Sequence, residues 1–319
     1  PAARPLAHRP HWRSVGTRLL TGGVGEHGAG MANPFLDGTR VEHEGEGRYR
    51  GAISDDWVLR PLPQGGVVTA IAVRAMQAEL DHPEQRLRTL HTSFVGQVAA
   101  GAVEVEVEVL RRGRSMSHAR AEVRNPGAER GHLTTAIFGA ERRGFHFTDL
   151  EAPADRPPPA ECRSFREPPP PGVEPFPPMA FWDQLVEGRA IVGHAPWEEY
   201  VPDRAEHVKW VRFDDPPYLD DGSLDPLGLP VLVDTMPGAV AEKLGPGERE
   251  WFAPSVDLTL HVLEEWRSPW LLAHNRARHA GEGYASADMA LWDCGEDGAG
   301  EPRLVAYGTQ VFLFSFPPG

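Results

Sequence analysis

Residues 64–80 read QGGVVTAIAVRAMQAEL, and between Val67 and Leu80 only Thr69, Arg74, Gln77 and Glu79 are polar. The run predicts a helix opened by Gln64-Gly65-Gly66, and it is apolar on nearly every side. Such a helix has to be buried on nearly every side. The material to bury it lies around it. A strand is expected before it at 49–59, and four follow at 86–95, 102–111, 115–125 and 132–140, separated by turns carrying Gly101, Gly113 and Pro126-Gly127. In the second of these four, Val103, Val105, Val107 and Val109 alternate with Glu104, Glu106 and Glu108. A period of two places one face on a core and the other in water.

Further along, residues 151–178 are dense in proline and nearly free of aliphatic side chains. Proline removes amide donors and fixes φ, so this stretch reads as a semi-rigid extended connector. Beyond it the element order returns. A strand is expected at 207–213, a helical segment at 229–244, and strands at 255–263, 270–277, 282–293 and 303–314. Arg112-Gly113-Arg114-Ser115-Met116 and Ala280-Gly281-Glu282-Gly283-Tyr284 fall at matching places. The agreement in order, type and turn position predicts a tandem duplication. Upstream, residues 1–30 carry Arg4, Arg9, Arg13 and Arg18, contain no acid before Glu26 and show no apolar period. They read as a disordered extension or leader, with Met31 as the natural start. The expected organisation is therefore 1–30 extension, 31–150 first domain, 151–200 proline-rich linker and 201–319 second domain.

At 319 residues the chain has room for two cores. Its formal net charge of −14 argues against nucleic acid or an anionic membrane as partner. Cys162 and Cys294 lie far apart without metal-ligand neighbours, which suggests neither a zinc site nor a disulfide framework. No apolar stretch approaches the roughly 20 residues that span a bilayer. These features predict a soluble, cytoplasmic protein.

A long antiparallel sheet with one buried helix inserted after its first strand is the hotdog topology. The expected class is α+β, a tandem (double) hotdog of two antiparallel sheets, each wrapped around a central helix. Edge-to-edge pairing of the two sheets would make the chain a pseudo-dimer, with further homo-oligomerisation open. Over 49–141 and 207–314 the sequence resembles the double-hotdog acyl-CoA thioesterases of the thioesterase II group. The resemblance rests on Pro63-Gln64-Gly65-Gly66, His91-Thr92-Ser93-Phe94 and Leu110-Arg111-Arg112-Gly113-Arg114-Ser115 in the first half. In the second it rests on Leu232-Val233-Asp234, Pro254-Ser255-Val256-Asp257-Leu258-Thr259 and Thr309-Gln310. It implies hydrolysis of an acyl-CoA to a fatty acid and free CoA, with neither metal nor organic cofactor. It also implies a site in the second hotdog, where the family's helix Asp, strand Thr or Ser and last-strand Gln fall on Asp234, Ser255 and Gln310. Here Ser255 stands where Thr is commoner; it keeps the hydroxyl and loses the methyl that limits rotamers.

Each of these residues also has a plainer reading. Asp234 can cap a helix starting at Thr235, with Pro237 in the first turn. Ser255 can simply begin a strand after Pro254, and Gln310 can be a solvent-face interruption in an apolar run. Period two places Ser255 and Asp257 on one face, so Asp257 is the rival base. Amides at a helix start would polarise the thioester oxygen, and Gly65 and Gly66 permit close backbone approach. His91 reads as an interface residue. Arg111, Arg112 and Arg114 read as a solvated hairpin tip that could hold CoA phosphate, and Trp251, Phe252, Trp266, Trp270 and Trp292 as packing for the second core. Two other functions compete: a hotdog hydratase or dehydratase on acyl thioesters, and a non-catalytic acyl-CoA-binding protein.

Overall fold

A computed structural model describes residues 33–59, 61–175, 177–246 and 251–316. The expected extension at 1–30 lies outside them, as does Met31. The first half contains the short helix α1 (Pro34–Gly38), the strands β1 (Glu42–Gly45) and β2 (Arg48–Ile53), the helix α2 (Gly65–Leu80), and the strands β3 (Arg86–Phe94), β4 (Gly101–Arg112), β5 (Met116–Arg124) and β6 (His132–Gly139). The second half contains β7 (Arg163–Ser164), β8 (Val186–Val192), β9 (Glu206–Phe213), the helices α3 (Leu229–Val233) and α4 (Pro237–Leu244), and the strands β10 (Asp257–Val262), β11 (Leu271–Gly281), β12 (Tyr284–Asp293) and β13 (Arg303–Leu313).

All strands join one antiparallel sheet in the order β1-β2-β4-β5-β6-β3-β10-β13-β12-β11-β9-β8-β7. The list is nearly a palindrome of two copies that meet at β3 and β10, where His91 pairs with Thr259 at the middle of the seam. Fusing the two inner edges leaves only the four-residue β1 and the two-residue β7 outermost, and short edges template little unwanted pairing.

The reading of α2 as buried on nearly every side holds except in its last turn, where Ala78 is exposed, and three of its polar groups find partners. Thr69 Oγ1 lies 3.1 Å from Thr92 Oγ1, Arg74 pairs with Asp225 at 2.7 Å, and Glu79 accepts from the Tyr49 hydroxyl at 2.8 Å. Arg112, from the basic turn, donates to the carbonyls of Glu79 and Leu80 and so closes the helix C-terminus. The wet face of β4 is lined by Glu104, Glu106 and Glu108, which pair with Arg124 and Arg120.

Three features depart from the sequence reading. Residues 186–192, assigned to the linker, form β8, which pairs with β9 along its length. The proline-rich stretch also does more than connect. Trp210 Nε1 donates to the Pro157 carbonyl at 2.8 Å and Arg189 to that of Pro159 at 2.8 Å. The stretch thereby covers a second apolar cluster built from Val208, Trp210, Trp270, Leu272 and Trp292. Trp270 and Trp292 belong to that cluster, whereas Trp266 packs in the main core and Phe252 is exposed. Third, the helical segment 229–244 is broken into α3 and α4. Pro237 has no N–H to give the Val233 carbonyl four residues back, and that carbonyl instead accepts from the Thr235 amide at 2.7 Å.

The two halves also approach closely where α2 begins. A Cβ on Gly66 would lie 2.3 Å from the Pro230 carbonyl oxygen, a backbone atom that cannot swing aside. Helix propensity alone would make Gly66→Ala stabilising by about 0.5–1 kcal/mol. Overpacking of the junction costs about 1–3 kcal/mol and outweighs it. Gly66→Ala is therefore expected to destabilise the protein, read as a lower urea midpoint with unchanged slope.

Candidate active site

The break between α3 and α4 places Asp234 as the C-cap of α3, with φ −74° and ψ 47°. It does not cap the next helix: α4 starts at Pro237 behind Met236, with no side-chain cap. The carboxylate turns instead to the first half of the chain. Its Oδ2 accepts from the Gly66 amide at 2.9 Å, in the opening turn of α2, where free N–H groups and the helix dipole favour negative charge. The amides expected to polarise a thioester oxygen thus include one that holds the carboxylate. Gln64 reinforces the junction. Its Oε1 accepts from the Val67 amide, while its Nε2 donates to the carbonyls of Val231 at 2.8 Å and Asp234 at 3.1 Å.

Ser255 and Gln310 complete a cluster around the other carboxylate oxygen. Ser255 Oγ donates to Asp234 Oδ1 at 3.1 Å. Gln310 Nε2 donates to the same oxygen and to Ser255 Oγ at 2.8 Å. Gln310 Oε1 is buried without a protein partner among the described residues. Gln310 therefore faces the core, not solvent. The three residues singled out from sequence converge.

Asp257 does not join them. A bend at Val256 interrupts the period-two alternation, so β10 starts only at Asp257, and the Asp257 carboxylate accepts from the Val311 amide at 2.7 Å. His91 is exposed; it bonds Thr259 across the seam and Ser93 on its own strand. Beside it, where β3 and β10 end, a groove of about 470 Å³ is lined by His91, Ser93, Phe94, Val95, Val256, Asp257 and Val311. Phe94 links this groove to the cluster. A side chain on Gly65 would meet the Phe94 ring at 2.6 Å and Asp234 Oδ2 at 2.9 Å, so ring and carboxylate flank one spot.

Among the described residues the first copy has no such cluster. Ala119 and Ala287 sit equally far past the matching glycines Gly113 and Gly281; Ala119 pairs with Ala136, and Ala287 with Gln310. Likewise Leu87 pairs with Phe138 where Ser255 pairs with Phe312. Leucine and alanine thus stand in the first copy at the places of Ser255 and Gln310.

Burial raises the Asp234 pKa from 3.8 to about 6, against the hydrogen bonds from Gln310, Ser255, Gly66 and Gly65, which favour the ionised form. An acid whose pKa is higher folded than unfolded binds its proton more tightly when folded. It therefore destabilises the protein as pH rises from about 4 to about 6, and the cost stays in full above that. A shift of this size corresponds to up to about 3 kcal/mol. Asp234→Asn removes the titration, so its stability relative to wild type should move in its favour by up to that amount between pH 4 and pH 7, as read by urea unfolding across pH.

Among the described residues, no group of three or more His, Cys, Asp or Glu side chains is placed to hold a metal ion, and no helix is long and apolar enough to cross a membrane. Cys162 and Cys294 are both free.

Comparison with known proteins agrees with this architecture. Residues 53–139 match the model of the acyl-CoA thioesterase N-terminal domain, and residues 159–314 that of the acyl-CoA thioesterase C-terminal domain. No curated protein matches the chain. Among solved structures, a conserved hotdog-fold protein of unknown function from Alicyclobacillus acidocaldarius superposes with a TM-score of 0.72 at 25% identity, over 90% of this chain and 100% of that one. An acyl-CoA thioesterase II from Mycobacterium marinum does so with a TM-score of 0.67 at 23% identity, over 89% and 99%. A tesB protein from Mycobacterium avium gives a TM-score of 0.63 at 19% identity, over 89% and 98%. With both domain models matched in order across most of its length, this double-hotdog chain belongs to the acyl-CoA thioesterase family.

Proposed function

We propose that the protein hydrolyses fatty acyl-CoA to free fatty acid and CoA, and that Asp234, Ser255 and Gln310 carry the reaction. The observation that supports this most directly is the meeting of a buried carboxylate, a hydroxyl and a carboxamide from three distant stretches beside a helix start. Asp234 is the general base. A pKa near 6 leaves it mostly ionised at neutral pH and makes it a stronger base than an ordinary aspartate. The Ser255 hydroxyl and the Gln310 amide orient the water. Asp234 takes one proton as the water oxygen attacks the thioester carbon. The tetrahedral intermediate then collapses, the carbon–sulfur bond breaks, and CoA leaves as a thiolate that is protonated by solvent or by Asp234. Thiolate is a good leaving group, so no strong general acid is needed. The substrate reaches the cluster along the groove at the end of the β3 and β10 seam, with Phe94 beside the reacting carbonyl.

The partners of Asp234 also weigh against the competing readings. A hydratase or dehydratase of this fold pairs a histidine with its carboxylate, and Asp234 is met by serine, glutamine and backbone amides. A protein that merely binds acyl-CoA has no need of a carboxylate held at the expense of stability. Release of free thiol from short, medium and long acyl-CoAs, followed with a thiol dye, tests the proposal. Asp234→Asn should lower turnover about a hundredfold or more. Wild-type kcat should rise with pH through about 6 as Asp234 ionises, and then level off. Enoyl turnover without thiol release would point to a hydratase, and binding without either to a carrier.

A further inference from the structure

Two buried polar side chains that take no part in the proposed reaction converge on the helix break. Lys209 lies on the core face of β9 with Val211 and Phe213, and is only 2% exposed. Among the described residues it has no ion pair. Its ammonium donates to Thr235 Oγ1 at 3.0 Å and sits 5.3 Å from the centre of the Trp182 ring. Thr235 Oγ1 in turn donates to the Leu232 carbonyl at 2.8 Å. On the neighbouring strand β11, the fully buried Asn275 donates to the Met236 carbonyl at 2.7 Å, and its own Oδ1 has no partner among the described residues.

Both arrangements are costly. Burial without a counter-ion strips the Lys209 amine of its hydration and pulls its pKa down to about 7, and a buried amide oxygen left unpaired loses a hydrogen bond to water. Methionine at 209 or leucine at 275 would fill similar space without either penalty. The two penalties fall at one place, on Thr235 and Met236, the two residues that follow Asp234 where the backbone has left the helical pattern. We infer that Lys209 and Asn275 are positioning residues that clamp residues 235–236 to the sheet and so aim the Asp234 carboxylate at Gly66, Ser255 and Gln310. Gln64 holds the same break from the side of the first copy. The inference rests on the reading of Asp234 as the base.

The test combines kinetics with a readout independent of turnover, on the full chain, for Lys209→Met, Asn275→Leu and Asp234→Asn. A displacement on the order of 1 Å at a reacting group costs up to about a hundredfold, so each clamp variant should lower kcat between about tenfold and a hundredfold. KM should stay within about twofold, because substrate contacts are untouched. The melting temperature should be unchanged or higher. In carbon-13 NMR of aspartate-labelled protein, the carboxyl resonance absent from Asp234→Asn should titrate near 6 in wild type and at higher pH in both clamp variants, since a carboxylate that drifts from its donors is harder to ionise. Asn275 carries no charge, so a matching response from both variants separates loss of position from loss of a nearby cation. Unchanged kcat with an unmoved titration overturns the inference, and so does a lower melting temperature with kcat and titration intact. If wild type releases no thiol, the thioesterase reading fails; if Asp234→Asn retains full turnover, only the assignment of Asp234 as base fails; in either case the carboxyl titration still decides whether the clamp positions Asp234.

Discussion

One carboxylate from the second copy accepts an amide at the start of a helix from the first, and the rest of the molecule is arranged to permit that contact. A buried aspartate is expensive, because no water solvates its charge. Here the cost is reduced by donors on both oxygens, from Gly66 on one side and from Ser255 and Gln310 on the other. Reaching those donors requires that the second helix be broken at Asp234 and that nothing project from Gly65 or Gly66. The continuous sheet supplies the frame. With β3 paired to β10 over five residues, the start of α2 and the end of α3 are held face to face.

The duplication is consequently unequal. In the first copy the helix runs unbroken for 16 residues, and the strand positions matching Ser255 and Gln310 hold Leu87 and Ala136. The buried hydroxyls of that half, Thr69, Thr92 and Thr134, bond one another, and to the site it contributes a helix terminus, a tight junction and the Gln64 side chain. The second half carries the polar interior, with Lys209, Asp234, Asn275 and Gln310 all buried. Buried carboxylate and amine are thus confined to one core, while its twin buries hydroxyls that bond one another, and this separates chemistry from support more sharply than fold symmetry would suggest.

Much of this was legible in the sequence. The helix apolar on all sides required a sheet wrapped around it, and the strand runs and turn glycines placed that sheet to within a few residues. The site residues themselves came from resemblance to a family. Neither the pattern nor the resemblance revealed how they meet. Pro237 reads as the first turn of a helix capped by Asp234, which is sound capping grammar, yet the same proline also ends the helix before it and so directs the carboxylate the other way. Asp257 looked like a neighbour of Ser255 because period two assumes a straight strand, and the bend at Val256 breaks it. Strand β8 was hidden by the proline-rich stretch beside it. Lys209 does not stand out inside its strand, because nothing in one sequence distinguishes an inward lysine from an outward one. Its partner is a backbone break that sequence does not display.

The junction at Gly66 and Pro230 also bears on whether either half can stand alone. The first copy has neither hydroxyl nor carboxamide at these places yet holds the helix terminus that the second copy's aspartate needs, so neither half can be shed without leaving groups of the other unpaired. A released second half would keep its acid without the amide that solvates it; a released first half would keep the amide with nothing to receive. The two folds are therefore bound to each other by chemistry as well as by the chain.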